Sequence, residues 1–434
     1  KRCPAGEAMT VEMRNGGAMQ VEAGGAIRGG QYYVARGAGE IRAGETAVGR
    51  TVTLSRDDSM GGITRTSYGV APVLALGDAT LSLRTAGDLV LQTVVDPLLV
   101  TYGEGLRPDG QQLNYGAYMS GYTDRSALKL VSTGGDIHFV NRAEFIFRDV
   151  LLRSFDHDTL VGFGGNRYPA RLSAVALNGG LSIEGPLYVL PGTTNDVSLA
   201  AKNDIRFAAP LAMAYATPAM MPSPTMPAGA GSPFSQMNME DMLDNWINWS
   251  GASFIKDPYL RSVSNPSVLP LAGDYEPSRI YAAEGSIFGL DLKANEQTWV
   301  RAGKDIRGVR VAGRNLRASD TTLLEAGNDI LATVRVDPIE RENAISNSLT
   351  GNIEMQGPGT LTLAAGRDVY ADNLQVRTVG NQRYDRNNRP QPDTQINGLP
   401  SNSAAITVMA GLNGAVGYDA FAAAYLDPAR VASM

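Results

Sequence analysis

Residues 361–369 read LTLAAGRDV: two leucines alternate with a threonine, a small-residue turn follows, and an aspartate precedes a last apolar residue. The same order recurs as LSLRTAGDL (81–89), VSLAAKNDI (197–205), TWVRAGKDI (298–306) and TLLEAGNDI (322–330), and with one inserted residue as LKLVSTGGDI (128–137). Aligned on the turn, these copies place Asp88, Asp136, Asp204, Asp305, Asp329 and Asp368 in one column. Looser copies put Ala26 (MQVEAGGAI) and Asn413 (ITVMAGLNG) in that place, and VAGRNL, with Asn315, reads as a shortened form.

The period dictates the local structure. Alternation such as Leu361-x-Leu363 sets both leucines on one face of a strand. The Ala-Gly pair then turns the chain, with glycine read as the residue that accepts positive φ. Aspartate or asparagine suits the corner because its short side chain bonds nearby backbone. One such unit cannot bury its own leucines and needs a copy above and below it. The pattern therefore predicts an all-β, right-handed parallel β-helix with inserted loops and a few short helices. A β-propeller is the competitor, and its blade signatures are missing. Spacings of 24 (Asp305 to Asp329) and 39 (Asp329 to Asp368) read as one and two coils. About 300 residues in coils of ~22, stacked at ~4.8 Å, give a rod on the order of 65 Å long.

Two stretches break the repeat and divide the chain. Coils are expected over 1–207 and 272–378, and a last coil with a C-terminal helix, YDAFAAAYLDPAR ending at Pro428, over 403–434. Residues 208–271 form a Met/Pro-rich insertion. It carries a helix on which Met239, Met242, Leu243, Trp246 and Ile247 share a face and Asn238 is the N-cap. Residues 379–402 are a polar loop.

Composition agrees with many short strands. The 434 residues include 49 glycines, only 19% are charged, and the net charge is −6. Positive charge is scattered, which argues against a nucleic-acid partner. No apolar run is long enough for a membrane-spanning helix. Cys3, the single cysteine, excludes an intrachain disulfide. The start, KRCPAGEAMT, has neither an initiator Met nor a signal peptide, so a mature or partial segment is expected.

Candidate chemistry is sparse. The aspartate column invites a calcium reading, but calcium wants several carboxylates in one loop and each copy offers one, so these are read as structural turns. FDHD (155–158) sets His157 between two carboxylates, yet His138 is the only other histidine and no metal spacing links them. The glycine-rich 14–30 lacks the context of a nucleotide loop, and NWS (248–250) is a chance-level glycosylation match. No catalytic residue, cofactor or metal is expected, and the chain is read as a non-enzyme. Trp246, Trp249 and Tyr384, all in the interruptions, are the candidate recognition residues; Trp299 also has the type of side chain that stacks on sugars.

Several ordered phrases carry a resemblance: GGQYYVARGAGEIRAG (29–44), YTDRSALKLVSTGGDI (122–137), YPARLSAVALNGGLSIEG (168–185), AGDYEPSRIYAAEGSI (272–287), GPGTLTLAAGRDV (357–369) and FAAAYLDPAR (421–430). Together they resemble the C-terminal β-helical region of the filamentous-haemagglutinin family of large bacterial exoproteins. The resemblance implies an extracellular or cell-surface adhesin or structural segment, serving attachment or biofilm structure. It also implies export through an outer-membrane two-partner transporter, a host or bacterial surface receptor or glycan, and room for self-association. The family's N-terminal secretion domain has no counterpart among these phrases. Two alternatives stand beside this reading: a carbohydrate-active β-helix enzyme, and a stalk or filament that displays a toxin.

Overall fold

A computed structural model describes residues 16–57, 63–98, 104–106, 112–114, 120–141, 166–214, 221, 271–332, 351–370, 374–381, 383–384, 390–391 and 398–412. Every regular element among these is a β-strand, and three parallel sheets account for nearly all of them. The fold is the expected all-β parallel β-helix. The segments predicted to be helical, around 239–247 and 418–427, lie outside the described residues.

Each coil visits the three sheets in turn. The first sheet holds the long alternating strands, such as Thr321–Ala326 and Thr360–Ala365. The second holds the two- or three-residue strands after the aspartate corner, such as Ile330–Leu331. The third holds strands such as Leu187–Val189, Leu211–Met213 and Gly351–Gln356. In the early coils its place is taken by the front halves of two long strands, Gln31–Ala43 and Val73–Thr85, and by Thr93–Val95, which pairs Val73–Ala75.

Parallel pairing without register slip stacks like on like. In the first sheet Leu83, Leu130, Ala174, Leu199, Ile280, Val300, Leu324 and Leu363 form one inward column. The second sheet adds Leu89, Ile137, Leu181, Ile205, Ile287, Ile306 and Ile330, and the third adds Leu187, Leu211, Leu292, Val311 and Ile353. These columns meet in one continuous apolar core. A single-residue slip would turn every one of these side chains outward.

The structure revises the coil count. Ile330 pairs Val369 directly, so Asp329 and Asp368 stand on adjacent coils and their spacing of 39 is one coil with an insertion, not two. Asp88 and Asp136 are likewise neighbours, whereas Asp136 and Asp204 are separated by a coil whose corner residue is Gly180. The first sheet holds twelve strands, eleven in one continuous stack. Steps of about 4.8 Å then give a described rod on the order of 50 Å tall, shorter than expected because insertions absorb much of the chain.

The role of the turn glycines is also revised. Gly44, Gly303 and Gly327 are not among the residues with positive φ. A Cβ on Gly327 would instead run into the carbonyl oxygen of Gly303, and one on Gly303 into that of Ala283. Glycine is needed there because successive corners lie almost in contact. Positive φ belongs to another bend, after the second-sheet strands, at Gly289 (65°) and Gly308 (72°).

Two substitutions test the stack. Gly327→Ala, which at an open site would stabilise by lowering unfolded-state entropy, should here cost roughly 1–3 kcal/mol through overpacking. Leu363→Asp, placing a charge where the leucine is fully buried, should cost several kcal/mol or prevent folding. Urea unfolding followed by circular dichroism reads both; a Gly327→Ala protein as stable as the parent would refute the close approach.

Candidate functional site

The three corners of each coil differ in kind. Between the first and second sheets every described connection is three or four residues, as at 303–305 and 133–136. Several backbone bonds cross each step there; among them Ile287, Ile306 and Ile330 donate their N–H to the carbonyls of Asp305, Asp329 and Asp368 on the next coil. The aspartate adds a side-chain bond. Asp88 Oδ1 accepts the N–H of Asp136 (2.9 Å), Asp136 Oδ1 that of Gly180 (2.7 Å) and Asp204 Oδ1 that of Ser286 (2.9 Å). Asp305 and Asp329 take the N–H groups of Asp329 and Asp368, both at 3.2 Å. Ser286 does the same work with its hydroxyl for Asp305 N–H (3.3 Å).

The predicted turn positions thus form one ladder, running from coil to coil and not within a single turn. Arginines complete several carboxylates, Arg206 on Asp204 (3.0 Å), Arg307 on Asp305 (2.6 Å) and Arg367 on Asp329 (2.6 Å). Among the described residues no three His, Cys, Asp or Glu side chains gather into a group able to hold a metal ion. Ala26 also falls in this column, through Ile27 N–H to Thr46 O. Asn315 does not: VAGRNL lies on the third sheet, and its buried Asn315 bonds Thr360 O and Thr322 Oγ1 at the opposite corner.

The other two corners carry the insertions. An antiparallel hairpin, Arg50–Asp57 with Ile63–Val70, and the segments 142–165 and 333–350 leave between the second and third sheets. Segments 99–119, 215–270 and 382–397 leave between the third and first. The interval read as a polar loop contains a short antiparallel pair, Arg383–Tyr384 with Pro390–Gln391.

Sequence reading missed how these insertions are rooted. Asp96 is fully buried and ties both ends of the 99–119 insertion. It accepts Leu98 N–H (3.1 Å) from the leaving strand, and Ser120 Oγ–H and Gly121 N–H (both 2.8 Å) from the returning one. Burial pushes its carboxyl up to about 6, against the pull of those donors. The root of 215–270 is larger. Arg317 donates to the carbonyls of Leu271 (2.8 Å), Ala272 (2.6 Å) and Asp274 (2.6 Å) and lies 4.1 Å over the Tyr275 ring. Asp274 accepts Asn195 N–H at 2.7 Å, and Glu296 accepts Ser278 Oγ–H at 2.5 Å. Burial, with the Asp274 and Asp196 carboxylates nearby, raises Glu296 well above the usual carboxylate range. Leu271 also packs with Leu316 and Leu399, so the roots of the 215–270 and 382–397 insertions share one apolar cluster. An acid inside an apolar run, as in TVVDPLL (93–99), was the available signal.

Trp246, Trp249, Asn238, FDHD and Cys3 lie outside the described residues, and Tyr384 is placed on its short strand. Trp299 is on the outer face of the first sheet, half-buried, with its Nε1–H donated to Thr321 O (3.0 Å) and the guanidinium groups of Arg279 and Arg301 within 6 Å of its ring at 5.9 and 5.4 Å. His138 Nδ1 lies 2.8 Å from Ser182 Oγ, a pairing along the outer face of the second sheet.

Two outcomes follow. Asp136→Asn keeps an acceptor for Gly180 N–H and should change stability by less than about 0.5 kcal/mol, whereas Asp136→Ala should cost about 1 kcal/mol. Asp96 is raised on folding from 3.8 to about 6, so its contribution to stability is present in full below the lower value and is lost as pH rises through the upper one. The loss is on the order of 3 kcal/mol. Asp96→Asn should flatten chemical-denaturation stability across that window; an unchanged slope would show that Asp96 does not titrate there. No family model, curated protein or solved structure matches this chain.

Proposed function

We propose that this chain is an extracellular β-helical segment of a bacterial surface exoprotein that mediates attachment, with recognition carried by its insertions. The observation that carries the reading is the partition of the corners. One edge of the rod is a short, repetitive ladder, and the other two hold every long interruption, with the roots of 215–270 and 382–397 packed on one cluster. A repetitive edge offers little that is distinctive, while loops on a rigid solenoid are free to vary and to bind. The resemblance to the filamentous-haemagglutinin family supports the same role. It adds the expected export through a two-partner outer-membrane transporter and a receptor or glycan as the partner.

The test is adhesion. Beads coated with the protein should bind epithelial or bacterial cells, and replacing 215–270 or 382–397 by a short Gly-Ser linker should reduce binding at least tenfold. Asp136→Asn should leave binding intact. If both linker variants fold and adhere like the parent, the insertions do not carry recognition. New reducing ends released from a polysaccharide by the purified protein would favour the carbohydrate-active alternative.

A further inference from the structure

Three buried polar residues stand in line at the corner that joins the third sheet to the first. Asn195, Asp274 and Glu296 come just before the strands Asp196–Ala201, Ser278–Ala282 and Thr298–Ala302. Those strands pair in that order, so the three residues belong to successive coils. Asp274 is the middle one. Its Oδ2 accepts Asn195 N–H from the preceding coil (2.7 Å), and its Oδ1 accepts Glu276 N–H (3.2 Å). Its carboxyl is within hydrogen-bonding reach of the Glu296 carboxyl on the following coil, whose Oε1 takes Ser278 Oγ–H (2.5 Å). Two amides tie the same corners: Asn195 Nδ2 donates to Asn295 Oδ1 (2.7 Å), and Asn295 Nδ2 to Ala214 O (2.6 Å). The stretch 271–278 is thus held from both sides.

What is held is a strained backbone. Leu271 has a φ of 56°, in the left-handed region that a side chain of this size enters only at a cost. Arg317 grips the same stretch through the carbonyls of Leu271, Ala272 and Asp274. Two neighbouring carboxyls shielded from water resist ionising together: one proton between them makes a hydrogen bond, and its loss makes a repulsion. Asp196 adds a third acid near Glu296. The surrounding cations are committed elsewhere. Arg279 pairs with Glu276 (2.6 Å), and Arg317 gives its N–H groups to the carbonyls, with Asp320 at 3.8 Å. Burial first, and then the Asp274 and Asp196 carboxylates, make the fold hold the Glu296 proton more tightly than the unfolded chain does.

We propose that Asp274 and Glu296 share one proton and form a pH-sensitive clasp, which holds 271–278 against its neighbouring coils and lets that stretch loosen, with the rod still stacked, once the proton is lost to solvent. Its stabilisation is present in full through the ordinary carboxylate range and is lost as pH rises through the raised value. The clasp does not depend on what the insertions bind.

The experiment compares the full chain with Glu296→Gln by amide hydrogen exchange from about pH 5 to about pH 9, the range in which buried glutamates titrate, after correction for intrinsic rates. The reporters are the N–H groups of Asn195, Asp274 and Ser278, and Ala127–Ser132, deep in the stack, shows whether the rod stays folded. Glutamine keeps an acceptor for Ser278 and offers Asp274 an N–H that does not ionise. Reporter protection in the parent should fall about tenfold or more below that of Glu296→Gln as pH rises, with 127–132 still strongly protected in both. Equal reporter profiles in the two proteins would overturn the proposal, as would a loss at 127–132 that accompanies the reporters. Where Glu296→Gln fails to fold, the carbon-13 shift of the Glu296 carboxyl in the parent decides: a titration that tracks the loss of protection supports the clasp, and a shift that stays constant overturns it.

Discussion

Everything in this molecule depends on one rung reading its position from the rung beneath it. No coil can satisfy its own backbone or bury its own leucines, so each strand takes register, hydrogen bonds and apolar cover from its neighbours. The corner between the first and second sheets enforces that reading most tightly. There a carboxylate on one coil meets an amide on the next, and a glycine allows the two turns to approach until no Cβ fits between them. The strands on either side are held at the same height and the inward columns run straight. The polar bond is worth little alone, but it repeats, and it selects among registers that the apolar columns would otherwise tolerate.

The parts of the fold legible in the sequence are those tied to that corner. Alternation over six residues, a short connection and a recurring aspartate are local signals that survive in one sequence. The third sheet left almost none, because strands such as Leu187–Val189 show too few residues to establish a period. Coil counting failed for a related reason. Asp329 and Asp368 are one step apart in space, but the intervening insertion lengthens the chain without adding a rung. VAGRNL shows the converse error: a phrase of the right composition occupied a different corner, where Asn315 serves the core interior.

Less of the candidate site could be read. The aspartates of the column bond to partners one coil away, 24 to 82 residues distant in sequence, where a single sequence carries no signal for the pairing. Apart from the acid in TVVDPLL, the insertion roots left no signal because their logic is three-dimensional. Arg317 serves carbonyls more than 40 residues earlier, and Glu296 is unusual because folding removes water from it and brings Asp274 and Asp196 near. Only Asp96, set in the apolar run TVVDPLL, is marked in sequence as a buried acid. Of the aromatic residues read as sugar platforms, Trp299 lies on the outer face of the first sheet with the guanidinium groups of Arg279 and Arg301 within 6 Å of its ring.

The uninterrupted corner also governs how such a chain can change its length. Because one edge tolerates only three or four residues per turn, duplications and losses survive there as whole turns, each altering the rod's height by about 4.8 Å. On the other two edges, length can be added a residue at a time without moving any rung. The architecture therefore separates two heritable variables. Reach is quantised along the axis, and the shape of what is displayed varies continuously around it, so either can drift while the other stays fixed.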